Sequence, residues 1–298
     1  MTLRLDPSML SAAQLRGDAE KALDDIVVLL TEQPGGLHHA VHETRRALKR
    51  LRAFHRLFAE GDRAFFSHQN ARLRDAARLL AEGREVVALT ETGEWLATEA
   101  RKPQEAALFK RVAAVLAARR ESMDHAALKA NIAEVIAACH RMRSALRDFD
   151  LPDGRRKLAK IVAHGWKRIL TQGNGVVLST AGGGKGFHEL RKNAQTLNAC
   201  LLLLRPLWPQ AMIARQEMLR PIIAALGREN DLAGLALLME HSPQDFGEPI
   251  EQVVLQRLIA QRRMALQRMA LQQAEAVFAI DAKEDANRVA TLWEALSR

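Results

Sequence analysis

Tyrosine is absent from this 298-residue chain, and the other large aromatics are few: nine Phe and four Trp. Proteins that hold single-stranded nucleic acid need exposed rings on which bases stack, and these few rings sit mostly among core-type residues. Only two cysteines occur, Cys139 and Cys200, both in apolar helical contexts. That excludes a disulfide scaffold and suits a reducing compartment. No stretch approaches the ~18 apolar residues of a membrane span; the longest candidate, Ala199 to Leu204, runs into Arg205 and Pro206. The N-terminal MTLRLDPSMLSAAQLRGDAEKA lacks the apolar run of a signal peptide. The expectation is a soluble cytoplasmic protein with no membrane partner.

What is present is apolar residues at three- and four-residue spacing, almost throughout, among good helix formers. A hydrophobic fraction of 48% excludes a disordered chain. The spacing predicts an all-α fold, with helices over about 11–31, 37–59, 63–81, 84–99, 104–119 and 122–149, then 154–171, 186–205, 209–226, 229–240, 250–280 and 284–297. Asp62 and Asp153 are expected N-caps, because a short carboxylate can accept from the free amides of a first turn. Thr171 to Gly186, with six glycines in sixteen residues, reads as a mobile loop. Its Gly184-Lys185 pair resembles the end of a phosphate-binding loop. The earlier glycine and the following Ser or Thr of that motif are replaced by Ser179 and Gly186, and no strand precedes it.

The net charge is +9, from 44 Lys+Arg against 35 Asp+Glu. Residues 1–150 hold 24 basic and 21 acidic residues and residues 151–298 hold 20 and 14, so the excess reflects local clusters, not a tail. The strongest is LHHAVHETRRALKRLRAFHRLFA, residues 37–59. On a helix at about 100° per residue with His42 at zero, Arg45, Lys49, Arg52 and Arg56 fall between about −80° and −20°, and Arg46 and Arg50 at about 40° and 80°. Ala47, Leu48, Leu51, Phe54 and Phe58 lie opposite. Such a stripe, with Glu43 its only local countercharge, repels itself unless an anion neutralises it.

A second copy follows at Phe187-His188-Glu189-Leu190-Arg191-Lys192-Asn193-Ala194-Gln195. Aligning His188 with His42 places Arg191 on Arg45, Lys192 on Arg46, Gln195 on Lys49 and Asn198 on Arg52. Gly83-Arg84-Glu85 stands 41 residues after His42 and Gly227-Arg228-Glu229 39 after His188, each expected to open a helix. This is an internal duplication, with 1–150 and 151–298 expected as two bundles of a single domain.

The pattern from Val41-His42-Glu43-Thr44-Arg45 through Arg52, with Leu226-Gly227 through Asp231-Leu232, resembles the CHAD family, the conserved histidine α-helical domains. The resemblance covers nearly the whole chain and is looser between residues 100 and 170. It implies two pseudo-symmetric helical bundles around a central basic channel that binds inorganic polyphosphate; some members associate with polyphosphate granules. By the same resemblance, His42, Arg45, Lys49, Arg50 and Arg52 match the first motif, and His188, Arg191 and Lys192 the second. Arg46, Arg56 and Gln195 complete the two faces, and Lys160, Lys167 and Arg168 of KIVAHGWKR match an additional basic helix. Gln195 and Asn198 stand where cations are expected, and Ala199 where an aromatic is usual, which predicts weaker binding on that side. The ExExK signature of a triphosphate-tunnel enzyme is missing, so a stand-alone binding module is expected.

Other readings weigh less. The stripe could be a solvated helix face, and His42 or His188 could be held by a core carbonyl. His38 and His42 stand at i, i+4, but a metal needs more ligands and the surrounding cations oppose one, so neither metal nor cofactor is expected. A phosphoryl-transfer or polyphosphate-hydrolysing enzyme would need carboxylates to place Mg²⁺, and no acidic cluster accompanies the stripes in sequence. A non-specific nucleic-acid binder would use the same charge, without base readout. Asp231 is expected to cap or to pair with an inward arginine.

Overall fold

The computed structural model describes residues 3, 5, 11–122, 125–183 and 186–296, with side chains at 82–84 and 125 outside the description. Within these residues the chain is all helical: eleven α-helices, three short 3₁₀ turns and no strand. The helices are α1 (Ala12–Glu32), α2 (Leu37–Phe58), α3 (Arg63–Leu79), α4 (Glu82–Thr98), α5 (Pro103–Glu121), α6 (His125–Ala145), α7 (Arg155–Ala181), α8 (Phe187–Leu203), α9 (Pro209–His241), α10 (Pro249–Phe278) and α11 (Ala282–Leu296).

Local chemistry sets several starts. The Ser11 hydroxyl accepts from the Gln14 amide at 3.1 Å, and the Asp62 carboxylate accepts from the Phe65 amide at 3.0 Å, as an N-cap should. Glu248 and Glu251 form a reciprocal capping box around Pro249. The expected cap at Asp153 does not form. Gly154 occupies that position at φ 114° and gives no side-chain cap, a conformation open to glycine but strained for Asp.

The glycine-rich stretch is the clearest departure from expectation. Helix α7 runs through Gly173 and Gly175 to Ala181, and the break is confined to 182–186, of which Gly184 and Lys185 lie outside the described residues. A Cβ on Gly173 would stand 2.2 Å from the Phe278 ring, and one on Gly165 2.1 Å from the Leu57 carbonyl oxygen. These glycines let α10 and α2 approach the α7 backbone; they do not make a loop.

Gly227 likewise opens nothing. Helix α9 passes through it and through Pro221 without a break. Its buried positions Ile222, Ala225, Leu226, Glu229, Leu232 and Leu235 keep one helical period across the glycine, so tertiary packing outweighs the ~1 kcal/mol cost of an interior glycine.

Helix α1 packs on α2 and α6, α2 on α3, and α4 on α5; α7 packs on α8 and α11, α8 on α9, and α9 on α10. The halves also interlock, α2 touching α7 and α8, and α4 touching α9, while α7 touches α10 within the second half. The larger apolar core runs through α1–α3 and α6–α8 into α9, α10 and α11. The smaller one joins Leu96, Phe109 and Leu116 of α4 and α5 to Leu232, Leu235, Leu255 and Ile259 of α9 and α10. The cationic side of α2 lines two cavities, one completed by α4, α8 and α9 and the other by α3 and α7.

Candidate anion-binding site

Ala40, Val41, Ala47, Leu48, Leu51, Phe54, Leu57 and Phe58 bury one side of α2. At 100° per residue this forces the basic positions to the other side, where two cavities open along the helix. The first, of about 390 Å³, is lined by His42, Arg45, Arg46 and Lys49 of α2, Glu85 of α4, Arg191 of α8, and Asn230 and Asp231 of α9. The second, of about 280 Å³, is lined by His55 and Arg56 of α2, Arg63, Ser67 and Asn70 on α3, and Arg168 and Gln172 of α7.

Several arginines are fixed by neighbours. Arg45 Nη1 donates to the Ala77 carbonyl at 2.8 Å, placing a cation at the negative end of α3. Arg52, between the cavities in sequence, donates from Nε to Asn70 Oδ1 at 3.1 Å. Arg56 Nη1 donates to Thr196 Oγ1 at 2.6 Å, tying α2 to α8. Arg168 donates to the Arg56 carbonyl at 2.7 Å and pairs with Glu60 at 2.5 Å, so α7 contributes a cation to the second cavity.

Burial, joined by neighbouring cations at the first three, holds Arg50, Arg52, Arg56 and Arg191 below the ordinary arginine range. For Arg52 burial is the first cause, reinforced by Arg56, Arg74 and Arg78. Arg56 is lowered by burial and by Arg168, against partial relief from Cys200 and Glu189. Arg50 is lowered by burial and by Arg46. Burial also lowers Arg191, opposed by the nearby carboxylates of Asp231 and Glu229. Burial pushes Glu43 upward, but the hydrogen bond and charge of Arg46, with His42 and Arg50, bring it below its usual value. A site whose cations destabilise one another is relieved by any bound polyanion.

The candidate residues do not all converge. His42, Arg45, Arg46, Lys49 and Arg191 line the first cavity, and Arg56 and Arg168 the second. Arg50, Arg52, His188, Lys192 and Gln195 line neither, and Lys192 pairs with Glu189 at 2.6 Å. Lys160 and Lys167 are exposed on α7 away from both cavities; Lys167 lies close enough to Asp281 to lower that carboxyl after its backbone hydrogen bonds. Arg63, Arg74 and Arg78 of α3 went unnoticed in the sequence, although Arg74 and Arg78 stand at i, i+4. Asp231 does lie beside an inward arginine, Arg191. Two carboxylates, Glu85 and Asp231, enter the basic cavity although no acidic cluster accompanies the stripes in sequence. Among the described residues, no three His, Cys, Asp or Glu side chains group as a metal site, and no helix is long and apolar enough to cross a membrane.

Neither a curated protein nor a solved structure matches the chain. The family model of the CHAD domain does, over residues 20–240. That span takes in both basic helices, α2 and α8, and every residue lining the two cavities, and the chain belongs to the CHAD family.

Proposed function

We propose that this protein binds inorganic polyphosphate along the α2 groove, as a binding module and not an enzyme. The observation that carries the reading is the row of cations on one helix face, Arg45, Lys49, Arg52 and Arg56, with Arg168 and Arg191 brought beside it from α7 and α8. Family membership supports the same ligand. Arginine forks take consecutive phosphates in bidentate fashion, and lysine adds point charge.

The duplication belongs to this proposal. Helix pairs α1–α2, α2–α3 and α4–α5 have counterparts in α7–α8, α8–α9 and α9–α10. A shift of 146 residues carries Arg45, Glu85 and Ala88 onto Arg191, Asp231 and Gly234, all six lining the first cavity. The same shift carries the start of α3, Arg63, onto the start of α9, Pro209. Two bundles meeting across a central basic cleft account for this correspondence, and the proposed setting is the cytoplasm or a polyphosphate granule.

The testing experiment is a calorimetric titration with long-chain polyphosphate, with DNA as competitor and with and without Mg²⁺. Binding that DNA at matched charge does not displace, without phosphate release, is the expected outcome. Preference for DNA overturns the ligand. Phosphate release in Mg²⁺ overturns the binding-module reading and gives Glu85 and Asp231 a role in placing the metal.

A further inference from the structure

A third cavity, of about 540 Å³, opens between α4, α5 and α9. Val86, Leu116, Leu237 and Leu238 make its walls aliphatic, and Arg119, Ser122 and His241 add polar groups. Glu85, Leu89 and Gly234 line this cavity and the basic one alike, so the two share a wall. The volume is that of a site for a small organic ligand: mostly apolar, with a few placed polar groups. Nothing in the binding of a bare inorganic chain uses it.

We infer that the two adjoining cavities form a nucleoside polyphosphate site, with the base between the aliphatic walls of the third cavity and the phosphates among Arg45, Arg46, Lys49 and Arg191. The shared wall decides the chemistry between the two ends. Glu85 is a carboxylate, an acceptor of hydrogen bonds, which suits the hydroxyls of a ribose and opposes both a phosphate and an alkyl chain at that point. Arg119 is oriented by its pair with Asp245. The Ser122 hydroxyl, which donates to the Arg119 carbonyl at 3.1 Å, keeps acceptor capacity. Such groups meet the heteroatoms of a base edge. The phosphate end of this site rests on the polyphosphate reading above; the nucleoside end does not.

The test compares ATP with inorganic tripolyphosphate, both without divalent metal, by calorimetry. Tripolyphosphate carries the greater charge, so charge alone ranks it the tighter ligand. The site predicts ATP binding at least about tenfold tighter than tripolyphosphate, and 2′,3′-dideoxy-ATP falling back toward it. Val86→Gln with Leu237→Gln alters only the aliphatic cavity, at helix positions that are not buried, and should abolish the ATP advantage while leaving tripolyphosphate and long polyphosphate unchanged. Equal affinity for ATP and tripolyphosphate, with long polyphosphate still bound, refutes the nucleoside site alone. An ATP advantage that survives the double variant refutes its placement. Failure of all three ligands to bind removes the polyphosphate reading as well.

Discussion

Arg45 and Arg52 each donate to α3, to the Ala77 carbonyl and to Asn70. Reversing both charges leaves the buried side of α2 untouched. Arg45→Glu with Arg52→Glu should therefore abolish polyphosphate binding while helicity and cooperative unfolding persist, as circular dichroism and calorimetry would report. Retained affinity would place the ligand elsewhere. His55, fully buried at the floor of the second cavity, has its pKa pushed down by burial to about 3. The unfolded chain protonates it near pH 6.5 and the folded chain resists, so stability is present above that pH and falls as pH drops from 6.5 toward 3. The slope is up to about 1.4 kcal/mol per pH unit. Urea unfolding at pH 7, 6, 5 and 4 should show it, and His55→Phe should flatten it; an unchanged slope would assign the acid sensitivity to other groups. The α2 stripe was legible because a helix fixes the angle between neighbours. Glu85 was not, and of Asp231 only its pairing with an inward arginine was, because their place in the cavity depends on how α4 and α9 cross, which no spacing within one helix records.

At the scale of elements, the helices were legible where capping chemistry and period agreed, as at Asp62. They were misread where a glycine serves packing. Composition puts Gly173 in a loop and Gly227 at a helix start; the close crossing of α10 explains Gly173, as that of α2 explains Gly165, which is already expected inside a helix. Gly165→Ala forces a methyl into the Leu57 backbone and should cost about 1–3 kcal/mol, measured by denaturant unfolding; a neutral result would mean that α7 can slide. A second tie is polar. Asp285 of α11 accepts from Arg215 at 2.6 and 2.7 Å and from Trp166 Nε1 at 2.8 Å, joining α7, α9 and α11. Burial alone would raise its carboxyl, but these bonds and the Arg215 charge hold it below 3.8. Its contribution is therefore complete above about pH 4 and lost as pH falls through the lower folded value. Asp285→Asn strands the Arg215 charge and should cost about 3–5 kcal/mol at pH 7, the difference from wild type shrinking below pH ~4.

At the scale of the molecule, part of the positive charge sits where it works against folding, on partly buried arginines that depress one another. That cost is offset when a polyanion occupies the groove, so ligand should raise the unfolding temperature in proportion to its occupancy. The all-α class and the repeat of basic helices could be read from period and composition. The interlocking of α4–α5 with α9–α10 could not, because it brings together segments far apart in sequence. The measurement that tests the central claim most directly is polyphosphate affinity as a function of salt. Neutralising six or more phosphates releases as many counterions, by analogy with nucleic acids, so affinity should fall about 10³-fold or more between about 50 and 200 mM salt. The Arg45→Glu, Arg52→Glu variant should show no such steep line. An affinity that stays flat across that range would contradict a groove that binds polyphosphate through its row of cations.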